Sequence, residues 1–254
     1  MQDIVLQDDN LAFRTREAYK TLRSNIELSG RDVRIIAVTS CTPNEGKSEI
    51  SFELARSFAQ NNRQVLLIDA DLRKSVMREH FKSGKVQYGL SNYLVGQCSL
   101  FDCICRTNED GFDMIFSGPT TPNPSELLGS DVFSDLLASA REYYDYIIID
   151  TPPLGSVIDS AIIGKMCDGT ILVTASGTIS YRFTQSVIDQ LRKADARILG
   201  VVLNKVNMNA GKGYYGKYYG KYYGKYYGKY YGQYYGNYGD SGEQKCSERR
   251  FLRY

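Results

Sequence analysis

The sequence predicts an α/β fold, a doubly wound parallel sheet with helices on both faces. Three observations carry this. Short runs rich in β-branched residues alternate with longer stretches of helical periodicity, the pattern of right-handed βαβ crossovers. Most of the short runs are apolar almost throughout, as strands covered on both faces must be. Three of them end in residues suited to phosphate or metal chemistry, and a parallel sheet binds its ligands at the carboxyl ends of its strands.

In chain order, residues 10–28 show helical periodicity and residues 34–39 form the first strand. A helix follows over 46–61 and a strand over 64–69. A strand over 112–116 precedes one long helix over 125–143. Then come a strand over 146–150, a helix over 159–166, a strand over 170–174, a helix over 180–194 and a last strand over 198–204. The predicted body spans residues 1–210. From Gly213 the chain repeats Tyr-Tyr-Gly-Lys, with Gln233 and Asn237 replacing lysine late in the run. Glycine at every fourth position discourages a helix, and the repeat has no aliphatic side chain to build a core. Residues 211–254 are therefore expected to form a disordered low-complexity tail, with an aggregation-prone tyrosine tract as the alternative.

A chain of 254 residues suffices for one such domain and a tail. The net charge of +2 conceals an asymmetry. Residues 211–254 hold nine Lys and Arg against three Asp and Glu, a net of +6, while the other 210 hold 22 against 26, a net of −4. No apolar run approaches the roughly 20 residues that span a bilayer, and the N-terminus lacks a signal-peptide pattern, so a cytoplasmic protein is expected. The six cysteines include no Cys-x-x-Cys pair and are expected to be reduced thiols. The single histidine, His80, excludes a multi-histidine metal site and reads as a surface residue near a helix end.

The segment Ser40-Cys41-Thr42-Pro43-Asn44-Glu45-Gly46-Lys47-Ser48 joins a strand to a helix and reads as a nucleotide-binding P-loop. Backbone N–H groups of Asn44, Glu45, Gly46, Lys47, Ser48 and Glu49 are the candidates to cradle phosphate oxygens at the helix N-terminus. Lys47 is placed to reach the β- and γ-phosphates, and the Ser48 hydroxyl to coordinate Mg²⁺. The full consensus asks for glycine where this chain has Cys41. Asp69 and Asp71 end the second strand and point to one face of an extended chain. Such a pair can hold Mg²⁺-bound water, or one member can take a proton from an attacking hydroxyl. Asp150 ends an apolar strand before Thr151-Pro152-Pro153 and resembles a Walker B aspartate, with a capping aspartate as the plainer alternative. The three segments together predict a nucleoside triphosphatase or a kinase using ATP and Mg²⁺.

The patterns TSxxPxEGKS at 39–48, LLIDADLR at 66–73 and IIIDTPP at 147–153 resemble the bacterial tyrosine kinases of capsule and exopolysaccharide assembly. That family belongs to the P-loop class of the septum-positioning and chromosome-partitioning ATPases. PNPSELL at 122–128 and a helical self-association motif, Glu17-x-x-Lys20-x-x-Arg23, agree with it. The resemblance implies that Lys47 and Ser48 bind phosphates and that Ser48, Asp71 and Asp150 hold Mg²⁺. It implies that Asp69 is the base accepting the tyrosine proton and that Asn204 contacts adenine. Glu17, Lys20 and Arg23 then share one helix face by i, i+3 spacing and contact a neighbour in a ring-shaped homo-oligomer. In the split form of the family, a separate transmembrane activator of the polysaccharide co-polymerase type recruits the kinase to the inner face of the plasma membrane. A cognate tyrosine phosphatase is also implied, and no nucleic acid is expected as a partner. Three residues depart from the family pattern: Asn44 stands where glycine is usual, Lys20 where arginine is usual, and Ser75 where proline is usual.

The tail favours a kinase acting on itself in trans. Its thirteen clustered tyrosines are Tyr214, Tyr215, Tyr218, Tyr219, Tyr222, Tyr223, Tyr226, Tyr227, Tyr230, Tyr231, Tyr234, Tyr235 and Tyr238. The rival reading is a partitioning or septum-positioning ATPase whose basic tail binds nucleic acid or membrane. Thr42 argues against it, because those proteins usually carry a signature lysine at that position.

Overall fold

Apolar runs pair with one another because a strand buried on both faces leaves its backbone only other strands to bond. In the computed structural model, which describes residues 1–7 and 11–206, nine strands do so in a single sheet. They are β1 (Gln2–Leu6), β2 (Ile35–Ser40), β3 (Val65–Asp69), β4 (Phe81–Gly84), β5 (Ile104–Arg106), β6 (Phe112–Ile115), β7 (Tyr146–Asp150), β8 (Gly169–Ala175) and β9 (Ile198–Asn204). Their order is β4-β1-β5-β6-β3-β7-β2-β8-β9. The six strands expected from sequence occupy the contiguous block from β6 to β9, and every pairing within it is parallel.

The other three strands were not anticipated. β1, β4 and β5 extend one edge, and the β1–β4 and β5–β6 pairs are antiparallel, so the sheet is mixed and mostly parallel. They are short, and β1 alternates buried with exposed residues, so they lack the continuous apolar signature of the central strands.

The helices are α1 (Phe13–Leu28), α2 (Lys47–Ala59), α3 (Leu90–Leu94), α4 (Leu100–Cys103), α5 (Pro124–Leu128), α6 (Asp131–Ala140), α7 (Asp159–Met166) and α8 (Tyr181–Lys193). The long helix expected over 125–143 is two helices. Gly129 ends α5, and Ser130, in extended conformation, starts α6. The short α3 and α4 were not anticipated either.

Alternating side chains of β2 divide the core. Ile36 and Val38 join Phe52 and Phe58 of α2 on one face, while Ile35 and Ala37 join Phe133 and Leu137 of α6 on the other. Phe52, Phe58 and Phe133 are fully buried, and each such side chain contributes roughly 1.5–3 kcal/mol. Among the described residues, no helix is long and apolar enough to cross a membrane. His80 is not a plain surface residue. It ends a 3-10 turn (Met77–His80) with its ring stacked on Phe52, centroids 4.3 Å apart. The tail from Gly211, with all its tyrosines, lies outside the described residues.

Candidate active site

The P-loop is shaped by two residues with left-handed backbone. Asn44 has φ 65° and Gly46 has φ 89°. Asparagine tolerates this region better than most residues, which explains its fitness where the family usually has glycine. Gly46 has a second constraint: a Cβ there would lie 2.2 Å from Nδ2 of Asn204. Cys41, at the consensus glycine position, has no positive φ and is fully buried in a cluster with Leu154, Leu172 and Val187. That position serves packing in this chain.

Other side chains hold the loop. Glu45 is almost fully buried, and its carboxylate accepts from the backbone N–H groups of Thr42 at 2.7 Å and Ala175 at 3.0 Å. It braces the loop against β8, which leaves only its backbone for phosphate. Asn204 Nδ2 donates to the Glu45 carbonyl at 2.9 Å, and its Oδ1 accepts from the Lys205 N–H at 2.8 Å. Lys205 Nζ donates to the Asn44 carbonyl at 2.6 Å. The residue expected at adenine thus clamps the P-loop here. Glu49 is exposed, and its carboxylate lies 3.6 Å from His80 Nε2.

The carboxyl ends of β2, β3 and β7 bring the charged residues together. Asp69 and Asp150 are paired neighbours across β3 and β7. Lys47, the first residue of α2, places Nζ 3.4 Å from Asp71 Oδ2, 3.6 Å from Asp150 Oδ2 and 3.1 Å from Ser48 Oγ. Ser51, which sequence did not single out, donates to Asp150 Oδ1 at 3.1 Å. Asp69, Asp71 and Asp150 are all buried. Burial drives the Asp150 carboxyl above its ordinary value, offset in part by Lys47 and the hydroxyls of Ser48 and Ser51. Asp69 is pushed up to about 7 by burial and then by Asp150. It accepts from the Asp71 N–H at 3.2 Å, the Ser117 N–H at 3.3 Å and the Ser75 hydroxyl. Ser75, where the family has proline, is thus a ligand of the proposed base.

This donor set fits a nucleotide with Mg²⁺. The N-cap of α2 is Gly46, with no side-chain cap to compete for the first-turn N–H groups. Among the described residues no three His, Cys, Asp or Glu side chains converge as a metal cage. The two carboxylates that meet at Lys47, those of Asp71 and Asp150, suit Mg²⁺, which prefers one or two carboxylates, water and phosphate oxygens.

A second ionic cluster, missed from sequence, stands beside the first. Asp159, fully buried at the start of α7, receives Arg73 through two bonds, Nε to Oδ2 at 2.7 Å and Nη2 to Oδ1 at 3.1 Å. Ser125 of the PNPSELL segment shares that carboxylate, Oγ to Oδ1 at 2.5 Å. Burial alone would raise the Asp159 carboxyl, but Arg73 and Ser125 outweigh it and hold it below the ordinary range. The Arg73 and Lys74 N–H groups also donate to Asp71 Oδ1, at 3.3 and 2.9 Å, so this brace positions a residue of the site. The self-association residues divide. Lys20 is exposed and pairs with Glu17 at 2.7 Å, while Arg23 turns inward and donates to the Ser57 carbonyl at 2.6 Å.

A family model described as an AAA domain matches residues 33–198. A tyrosine-protein kinase CpsD of Streptococcus pneumoniae is 44% identical over 207 residues, covering 80% of this chain and 91% of that protein. This chain belongs to the bacterial tyrosine kinases. The kinase domain of the Escherichia coli tyrosine kinase ETK superposes on it with a TM-score of 0.73 at 35% identity, over 78% of each chain. The septum site-determining protein MinD of Pyrococcus horikoshii, complexed with Mg-ADP, shares the fold alone: TM-score 0.58, 24% identity, 70% of this chain and 72% of that one. The kinase is thus a tyrosine-phosphorylating enzyme on a P-loop scaffold.

Proposed function

We propose that this kinase transfers the γ-phosphate of Mg²⁺-bound ATP to tyrosines of its own tail on a neighbouring copy, and so regulates capsule or exopolysaccharide synthesis and export. The observation that carries the reading is the meeting of Lys47 with Asp71 and Asp150, beside buried Asp69. The P-loop amides and Lys47 bind the phosphates and compensate the negative charge spread over them in transfer. Ser48, Asp71 and Asp150 would hold Mg²⁺, which would supply positive charge to offset that of the phosphates. Asp69 accepts the proton of the attacking tyrosine hydroxyl. Its carboxyl, pushed up to about 7, is matched to that task near neutral pH.

The tail is basic and the body acidic, so attraction brings a tail toward a neighbouring site. Glu17 and Lys20, on the open face of α1, assemble the neighbours into a ring, with Arg23 bracing α1 from within through Ser57, and a transmembrane activator holds the assembly at the inner face of the membrane. A cognate tyrosine phosphatase resets it. The test mixes wild-type chain with a Lys47→Met chain of distinguishable mass in labelled ATP. Label on the tail of the Lys47→Met chain is the expected result. Label confined to the wild-type chain at every concentration defeats transfer between copies, and a tail without label defeats the reading of the tail as substrate.

A further inference from the structure

We propose that Cys98 and Cys103 form a peroxide-reactive dithiol site that closes reversibly to a disulfide. Their sulfurs lie 3.2 Å apart although the residues are five positions apart in sequence. The single turn of α4 brings them together. Ser99 caps it, its hydroxyl accepting from the Asp102 N–H at 3.4 Å and donating to Asp102 Oδ2 at 2.6 Å, and Asp102 accepts the Ser99 N–H at 3.1 Å. Cys98 stands just before this cap and Cys103 closes the turn. A disulfide bond is about 2.05 Å long, so the two sulfurs need to approach by roughly 1 Å in total.

The two thiols differ in the way a two-step oxidation needs. Cys98 is half-buried and meets solvent first. Cys103 is fully buried, donates to the Gly89 carbonyl at 3.4 Å, and has its thiol raised first by burial and then by Cys98. The other described cysteines bond elsewhere: Cys41 to Thr184, Cys105 to the Cys103 carbonyl and Cys167 to the Ile163 carbonyl.

The Cys98 thiolate attacks one oxygen of hydrogen peroxide. The O–O bond breaks, hydroxide leaves and takes up the proton released by the thiol, and a sulfenic acid remains on Cys98. The Cys103 sulfur then attacks the Cys98 sulfur and loses its proton. The S–O bond breaks and a second water leaves. Two thiols and one peroxide become one disulfide and two waters, and an external dithiol reverses the change.

Closure removes the Cys103 donor from the Gly89 carbonyl. Residues from Gly89 rest on the segment that leads to the active site. Leu90 N–H donates to the Phe116 carbonyl at 2.7 Å, Ser91 N–H to the Ser117 carbonyl at 2.9 Å, and Ser117 N–H to Asp69. Oxidation is therefore felt one residue from a ligand of Asp69. The disulfide itself does not depend on the role proposed for Asp69, whereas its effect on phosphate transfer does.

The test uses the full chain with Cys246→Ser, which removes the cysteine outside the described residues. Native protein is treated with equimolar hydrogen peroxide, alkylated, digested and weighed. The expected product is a Cys98–Cys103 linked peptide lacking two hydrogens, formed several-fold faster than in guanidinium-unfolded protein and reversed by dithiothreitol. In Cys103→Ser, Cys98 should stop at a sulfenic acid that dimedone traps. Equal rates in folded and unfolded protein, or over-oxidised Cys98 without the link, would overturn the site. A linked protein whose tail phosphorylation rate equals that of the reduced one overturns the connection to Asp69.

Discussion

Two buried ionic clusters lie side by side at the carboxyl ends of the strands, and they are built oppositely. In the brace, Asp159 receives a two-pronged arginine at 2.7 and 3.1 Å and a serine hydroxyl, and its carboxyl is held low. In the proposed nucleotide site, Lys47 reaches Asp71 and Asp150 only at 3.4 and 3.6 Å, and the Asp69 and Asp150 carboxyls are pushed up. Charges that satisfy each other inside the chain hold the fold together. Charges left under-compensated, at a helix N-terminus without a side-chain cap, are arranged for something the chain binds.

The largest effect separating the clusters should come from Lys47→Met. Removing a preorganised charge from the transferring phosphate costs on the order of 10²–10³-fold in rate. Tail labelling should fall that far while circular dichroism and the melting temperature change little. A parallel loss of fold would place Lys47 in the brace class.

Arg73 and Asp159 should show the converse, a stability loss with a direction. Arg73→Ala leaves Asp159, whose side chain has 0% exposure, as an unpaired buried charge. That costs about 3 kcal/mol, roughly 6–12 °C in melting temperature for a domain of this size. Asp159→Ala leaves an arginine that is 40% exposed and can turn to water, so its loss should be smaller. Equal losses in urea titrations of the two variants would remove the asymmetry.

The clusters should also respond to acid with opposite signs. Asp69 has a folded value of about 7 against an ordinary 3.8, so between those values the folded state binds more protons than the unfolded. Its contribution to stability therefore declines as pH rises from about 4 to about 7, and Asp69→Asn should flatten that decline while abolishing transfer. Asp159, held low, contributes above the ordinary carboxylate range and loses that contribution as pH falls through its folded value. Thermal melts from pH 3 to 8 on wild type, Asp69→Asn and Asp159→Asn would separate the two. An unaltered slope in Asp69→Asn would show its carboxyl to be ordinary. The smallest effect is expected for Ser125→Ala, about 1 kcal/mol for one hydrogen bond, with the Asp159 carboxyl moving upward.

This contrast also explains what sequence reveals. Lys47, Asp69, Asp71 and Asp150 were legible because each sits at a fixed offset from an apolar strand. Asn44 was legible because a special backbone conformation demands few residue types. The Arg73–Asp159–Ser125 brace joins residues far apart in the chain with no repeating interval, so nothing local announces it. Glu45 and Asn204 were expected at the nucleotide, but their contacts within the chain were not foreseen, because both bond backbone groups contributed by other segments. Arg23 illustrates the limit of helical periodicity. Its spacing aligns it with Glu17 and Lys20, yet the packing of α1 on α2 draws its guanidinium to Ser57.

The bonds from Asn204 and Lys205 to the P-loop have a kinetic consequence. β9 is the outermost strand at its end of the sheet, with Val201 and Leu203 partly open to solvent. Outermost strands fray more often than central ones, so a rigid loop fastened to one inherits its opening rate. Amide protons of Gly46 and Lys205 should then exchange with solvent in step, and both more slowly once nucleotide is bound. On this account one edge strand of the sheet sets how long the P-loop keeps its shape.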